Sequence, residues 1–326
     1  MSAKKLKVAI ALGSSCAGCD VAIVDLGEKL LEVFDRVDIV YWPTAFDYKL
    51  EDLKALEDGS IDYALFDGAI GTSEDREIAE LLREKSKNLV AFGACACFGG
   101  LIGLANLTVA RELLETVYVR TISTDNPNKV IPQPKSDVNG LTLTLPEKLD
   151  TLLPLSDVVE VDYFVPGCPP ESELVEKLFT GILTGEMPPK GYTFAEEHTL
   201  CEDCPRVKSE TRKILEVKRR HLTKVDPEKC FLDQGILCMG PATRAGCGAK
   251  CIKANMPCRG CMGPTANVRD QGAKFLSAIA SILGEDTASE EELAKIVDQI
   301  VDPVGSFYRF TLPSSILKRK VVREGA

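Results

Sequence analysis

The chain has 326 residues, 45% hydrophobic and 27% charged, with 39 Lys and Arg against 49 Asp and Glu for a net charge of -10. That length suits two domains, each with its own core, and the composition is that of a soluble globular protein. The acidic balance, with no basic stripe carrying interleaved aromatics, argues against nucleic acid as a partner, and no apolar run is long enough to span a bilayer.

The N-terminal "MSAKKLKVAIALG" sets two lysines before an apolar run, as a signal peptide does. The run is short and β-branched and leads straight into "GSSCAGCD", so it reads as a buried first strand of a cytoplasmic protein. Further buried runs at 37–43, 61–70, 88–95 and 160–168 alternate with amphipathic stretches at 21–34 and 74–86. That alternation predicts an α/β fold, a doubly wound parallel sheet with helices on both faces. A sixth, less regular strand is expected at "GLTLTLP" (140–146), after a Pro- and Asn-rich loop.

A helix is expected after "GCPP", with Pro169 and Pro170 in its first turn, Leu174, Val175, Leu178, Phe179 and Ile182 on one face, and Gly185 ending it. The following "EMPPKGYTF" reads as a linker, which divides the chain into 1–190 and 191–326. Beyond it Cys and Gly become dense and strand patterns stop, so a metal would have to organise the region. Two helices close the chain, one within 267–284 and one opened by a Ser289/Glu292 capping box with Leu293, Ile296, Val297 and Ile300 inward. The basic run "LKRKVVR" (317–323) reads as a solvated tail.

Thirteen cysteines in a reducing compartment point to metal rather than disulfides. Cys16 and Cys19 follow the first strand, Cys95 and Cys97 the fourth run, and Cys168 ends the fifth. Ligands of open α/β sheets sit beyond the carboxyl ends of the strands, so these loops bring Cys16, Cys19, Cys95 and Cys168 together. Gly18, Gly93, Gly99, Gly100 and Gly167 would let backbone pass close to a bulky inorganic group. The alternative is a redox C-x-x-C with scattered buried thiols. Cys201, Cys204, Cys230, Cys238, Cys247, Cys251, Cys258 and Cys261 fill the second half. Their spacing suits Cys₄ zinc sites and 4Fe–4S clusters equally. No Ser/His/Asp constellation, Walker loop or G-x-G-x-x-G is present, and no catalytic residue is assigned.

"SSCAGCD", "GACACFGG", "VPGCPP", "CEDCPR" and "CFLDQGILCMGPAT" occur in order along nearly the whole chain. In this the chain resembles the small, iron–sulfur subunit of nickel–iron hydrogenases. The all-cysteine segment 247–261 is most similar to the cytoplasmic methanogen branch, the methyl-viologen-reducing hydrogenases that serve heterodisulfide reductase. The resemblance implies a flavodoxin-like N-terminal domain and a cluster-binding C-terminal region. It implies a proximal 4Fe–4S cluster on Cys16, Cys19, Cys95 and Cys168, and a distal one on Cys201, Cys204, Cys230 and Cys238. A medial one would take Cys247, Cys251, Cys258 and Cys261, where periplasmic relatives often carry Pro and a 3Fe–4S cluster. It further implies a nickel–iron large subunit as the site of hydrogen chemistry and a further iron–sulfur acceptor subunit linked to heterodisulfide reductase.

Two departures stand out. Ser15 replaces a Glu common in relatives, and no twin-arginine signal precedes the first strand. Cys97 is expected to be a free, semi-buried thiol, and His221 to lie on a solvated helix face. His198 and Cys201 offer the His-x-x-Cys spacing of periplasmic distal sites, but "CPR" after Cys204 favours Cys201 and Cys204. The rival readings are the small subunit of a deazaflavin-reducing hydrogenase or a sulfhydrogenase, and a zinc-stabilised scaffold.

Overall fold

The computed structural model describes residues 5–284 and 288–319; residues 320–323 of the basic run lie outside the described residues. Six parallel strands form the central sheet: β1 Leu6–Leu12, β2 Val37–Tyr41, β3 Ile61–Asp67, β4 Ser86–Phe92, β5 Tyr163–Val165 and β6 Tyr192–Thr193. Their order is β6-β5-β4-β3-β1-β2. Side chains alternate across the sheet as the period of two requires. Val8 and Ile10 of β1 join one core, and Ala9 and Ala11 join the other.

The first core is covered by α1 (Gly18–Val24), α2 (Lys29–Arg36) and α7 (Ser172–Thr184), through Ile23, Val33 and Leu178 among others. The opposite core is covered by α3 (Leu50–Lys54), α4 (Ser73–Lys85) and α5 (Gly93–Phe98), through Leu53, Leu82 and Ala96. α4 starts cleanly because Thr72 and Asp75 form a capping box.

Several expectations are corrected here. The stretch 21–34 is two helices, because the chain turns at Gly27 with φ +59°. β3 stops at Asp67, where Gly68 takes φ +110°, and the chain leaves the sheet so that Ile70–Thr72 pairs antiparallel with Lys148–Leu153. The sixth strand of the sheet is Tyr192–Thr193, inside the stretch read as a linker, whose N–H and carbonyl groups complete the edge beside β5. Leu141–Thr144 is a strand, but it pairs with Lys135–Val138 in an exposed hairpin away from the sheet. Pro169 and Pro170 precede α7, whose N-cap is Glu171.

α6 (Ala110–Glu115) begins the arm that carries this hairpin. Beyond β6 the described residues hold 3₁₀ turns and short α-helices: α8 (Leu200–Asp203), α9 (Lys250–Lys253), α10 (Gln271–Ala280), α11 (Glu290–Val297) and α12 (Pro303–Phe307). A third core gathers Phe231, Phe275, Phe307 and Leu312, with the Phe275 and Phe307 rings 5.2 Å apart. The Ser289/Glu292 capping box forms, with Ile296 buried and Leu293 and Ile300 half-buried as expected, but Val297 is exposed. The end of the chain returns to the sheet: the Gly100 N–H donates to the Phe310 carbonyl at 3.1 Å, and Pro313 fills the space that a side chain at Gly99 or Gly103 would need. Among the described residues no single helix is long and apolar enough to cross a membrane.

Candidate metal centres

Four cysteines meet at the carboxyl edge of the sheet. Cys16 lies in the loop after β1 and Cys19 in the first turn of α1, which a left-handed Ala17 (φ 60°) sets off from that loop. Cys95 sits on α5 after β4, and Cys168 follows β5. The Ala94 N–H donates to the Gly167 carbonyl at 2.6 Å, pinning the last two loops together. Each thiol lies within electrostatic reach of others in the set: Cys19 of Cys95 and Cys168, and both Cys95 and Cys168 of Cys16. Burial raises the Cys19 thiol far above its ordinary range, with Asp67 adding to it, and pushes Cys95 up to about 12.

Asp67 is the residue the sequence reading missed. It ends β3, is fully buried, accepts a hydrogen bond from the Ser15 hydroxyl, 3.2 Å from both its oxygens, and stands beside the Cys19 thiol. Burial pushes its carboxyl up to about 7. Its signal was a carboxylate closing the apolar run "YALFD" at the same sheet edge as Cys16.

Cys201 lies on α8 and Cys204 is its C-cap, after a Thr199/Glu202 capping box. Cys230 and Cys238 flank the short turn Leu232–Gln234. Cys201 lies within reach of Cys204 and Cys230, and Cys238 within reach of Cys201 and Cys230. The side chains of Lys208, bonded to the Cys201 carbonyl at 2.7 Å, and of Arg212, 3.8 Å from the Cys230 sulfur, place positive charge beside them. The His198 imidazole instead pairs with Asp203 at 2.7 Å. His221 is exposed, as expected, in a short 3₁₀ helix, Arg220–Leu222, rather than an α-helix.

The remaining four lie at the seam between two cores. Cys261 packs against the core around the sheet, Cys258 belongs to the C-terminal core, and Cys247 touches both. Cys251 is exposed on α9. Lys250 ties α9 to the start of α7 through Glu171 at 2.6 Å and Glu173 at 2.9 Å. The sets also touch. Cys168 lies within electrostatic reach of Cys261, and the Cys258 N–H donates to the Cys238 sulfur at 3.3 Å. Cys97 stands apart, buried rather than semi-buried, its thiol donating to the Ala91 carbonyl at 3.3 Å.

The residues fit iron–sulfur clusters. A Cβ at Gly93 would lie 2.3 Å from the Cys19 sulfur, and one at Gly100 would lie 2.4 Å from that of Cys95, so both positions exclude a side chain facing the sulfurs. The donor sets are all sulfur, as such clusters require. Burial disfavours free thiolates, so a cationic group is what would keep these sulfurs deprotonated. Among the described residues no three His, Cys, Asp or Glu side chains converge as a single-ion site requires.

Residues 16–182, from Cys16 into α7, match the family NADH ubiquinone oxidoreductase, 20 Kd subunit. The chain is 42% identical over 98% of its length, and 99% of the relative's, to the iron-sulfur subunit of the F420-non-reducing hydrogenase of Archaeoglobus profundus. It is 39% identical, over 99% of both chains, to a subunit of the F420-non-reducing hydrogenase of Methanothermobacter thermautotrophicus. The fold is that of a chain of the [NiFeSe] hydrogenase from Desulfovibrio vulgaris Hildenborough, with a TM-score of 0.51 at 16% identity over 82% of this chain and 96% of that one. Fold and relatives together define an oxidoreductase subunit with an electron-transfer role. The chain belongs to the small, iron–sulfur subunits of nickel–iron hydrogenases, in the F420-non-reducing branch.

Proposed function

We propose that the chain relays electrons from hydrogen oxidation on a nickel–iron large subunit to a further iron–sulfur acceptor subunit linked to heterodisulfide reductase, in the cytoplasm. Residues 1–190 would form the flavodoxin-like domain that holds the proximal 4Fe–4S cluster on Cys16, Cys19, Cys95 and Cys168. Residues 191–326 would hold the medial cluster on Cys247, Cys251, Cys258 and Cys261 and the distal one on Cys201, Cys204, Cys230 and Cys238. When bound, each cluster accepts and releases one electron at a time.

The observation that carries this reading is the line of contacts between the cysteine sets. Cys168 lies near Cys261, and the Cys258 N–H reaches the Cys238 sulfur, which supports an order running from the set at the sheet edge through the set at the seam to the set in the C-terminal core. Exposed Cys16 and Cys168 mark the face on which the large subunit would dock. The chain's own part is to tune the sites. Asp67 adds buried negative character beside Cys19, whereas Lys208 and Arg212 favour extra electron density at the distal end. His198, engaged with Asp203, supports the Cys201/Cys204 register.

Iron analysis of anaerobically purified protein should give about twelve irons per chain, four for each cluster. About eleven, with a 3Fe–4S paramagnetic signal in fresh protein, would overturn the medial assignment. A colourless protein with stoichiometric zinc would sink the whole reading.

A further inference from the structure

Arg206, two residues past Cys204, is 5% exposed. Its Nη1 donates to the carbonyls of Asp226 at 2.8 Å and Lys229 at 2.7 Å, and its Nη2 to the Asn255 side-chain oxygen at 2.6 Å. The guanidinium lies over the Phe231 ring, 3.8 Å from its centroid. It thus grips the residue before Cys230 and covers the residue after it. The Cys230 N–H donates in turn to the Val207 carbonyl at 2.8 Å. Asn255 lies in the turn after α9, where the Met256 N–H donates to the Cys251 carbonyl at 2.8 Å. One side chain therefore joins the segments that carry Cys204, Cys230 and Cys251.

Every acceptor of this cation is neutral, and its Nε is buried without a partner. A buried charge that meets no carboxylate is costly, and the face of a ring offsets only part of that cost. Tying the loops together does not call for a charge. Gln234 already donates to the same two carbonyls, at 3.1 Å to Asp226 and 2.9 Å to Lys229, and a neutral donor would serve Asn255 equally. What Arg206 adds is positive potential shielded from water. Lys208 is exposed and Arg212 half-buried, so solvent screens both. The sulfurs of Cys204 and Cys230 belong to the set read above as the distal site. A four-iron cluster on four thiolates is anionic in both oxidation states and gains one more negative charge with each electron accepted. That is the counter-charge the buried guanidinium lacks.

We infer that Arg206 is the buried counter-charge of the distal site, a positioning residue that seats the Cys204 and Cys230 segments and favours the electron-rich form of what they hold. The inference rests on the relay proposed above. Without that charge the distal centre is harder to reduce, because the extra electron is no longer met by a fixed cation.

The test uses the assembled hydrogenase, purified anaerobically, with Arg206→Gln, which keeps an amide donor and removes the charge. Iron content is read beside a redox titration followed by paramagnetic resonance. A buried unit charge about 10 Å from a centre changes its reduction equilibrium about tenfold. The distal midpoint should therefore fall by about 59 mV, the one-electron equivalent of that factor. About twelve irons per chain should remain. Arg206→Lys should restore the midpoint. Lys229→Gln removes an exposed cation next to Cys230 and should change the equilibrium by less than about twofold, since solvent already screens it. An unmoved distal midpoint in Arg206→Gln, an equal fall in Lys229→Gln, or a midpoint as low in Arg206→Lys overturns the assignment. Should Arg206→Gln fail to assemble, Asn255→Asp decides, because its carboxylate neutralises the guanidinium in place: the distal midpoint should fall by the same factor, and an unmoved one overturns the role. A wild type with no iron and no paramagnetic signal on reduction fails the relay as a whole, whereas full iron with an unmoved midpoint fails this inference alone.

Discussion

The backbone N–H of Cys258 points at the sulfur of Cys238, 3.3 Å away, so two cysteine sets more than one loop apart in sequence share a hydrogen bond. A donor to a ligand sulfur stabilises its electron-rich form and raises the potential of what it holds. Cys238→Ser should therefore disturb both the distal and the medial paramagnetic signals. Cys204→Ser, whose thiol has no such link, should disturb the distal signal alone. Identical spectra from the two variants would show that the hydrogen bond couples nothing.

Gly93 has φ +88° and no room for a methyl group beside the Cys19 sulfur. Gly93→Ala combines backbone strain with a clash and should cost about 2 kcal/mol or more. Iron content should drop by about four per chain, the loss of one cluster. A variant that keeps its full iron and the proximal signal would remove Gly93 from the site.

The distal register turns on His198 and Cys204. His198→Ala should leave that signal intact, because the imidazole is committed to Asp203, whereas Cys204→Ala should abolish it. The reverse pattern would make His198 the ligand.

Cys97 is buried with its thiol on the Ala91 carbonyl. Cys97→Ser keeps a donor of similar size, so hydrogen-dependent dye reduction and iron content should match the wild type. Stability should fall by about 1 kcal/mol for placing a hydroxyl in an apolar pocket. Loss of the proximal signal would show that the wrong thiol of the "CAC" pair had been assigned.

Asp162, with a side chain 2% exposed, receives Lys190 and Arg83, each at 2.7 Å, and the Leu89 N–H at 2.8 Å. Burial alone would raise its carboxyl, but these three partners outweigh it and hold it below the ordinary Asp range. A depressed carboxylate stabilises the fold above its unfolded pKa, and the contribution vanishes as pH falls through the folded value. Asp162→Asn should therefore cost about 2 to 3 kcal/mol near neutrality. The gap to wild type should close as denaturation is repeated at pH values below the Asp range. A gap that is constant with pH would assign the loss to packing instead.

The sheet was legible because its strands are continuous apolar runs between amphipathic helices, the pattern that a sheet buried on both faces imposes. The first and fourth runs thus place Cys16, Cys19 and Cys95 at one edge from the sequence alone. Tyr192–Thr193 was hidden because two residues between Pro and Gly carry no periodicity; only the partner strand β5 makes them a strand. The hairpin at 135–144 has the alternation of a strand, yet nothing in that alternation says which sheet it joins. The relation between the cysteine sets was out of reach altogether, since the nearness of Cys168 to Cys261 and the Cys258–Cys238 hydrogen bond depend on how two separate cores meet. The seat of Arg206 escaped for a similar reason, since its partners Asp226, Lys229 and Asn255 lie far from it in sequence.

On the proposed reading, the seam position of Cys247, Cys258 and Cys261 would make one place serve as both joint and conductor. Electron tunnelling weakens steeply with distance, so a hinge there would modulate the current with every swing. The double ion pair of Lys250 with Glu171 and Glu173 ties α9 to the start of α7 beside that seam and would resist such a swing. If the proposed clusters lie there, rigidity between the two cores would serve electron transfer as much as the fold, and loosening the clamp would read out first as a slower turnover with all the iron still in place.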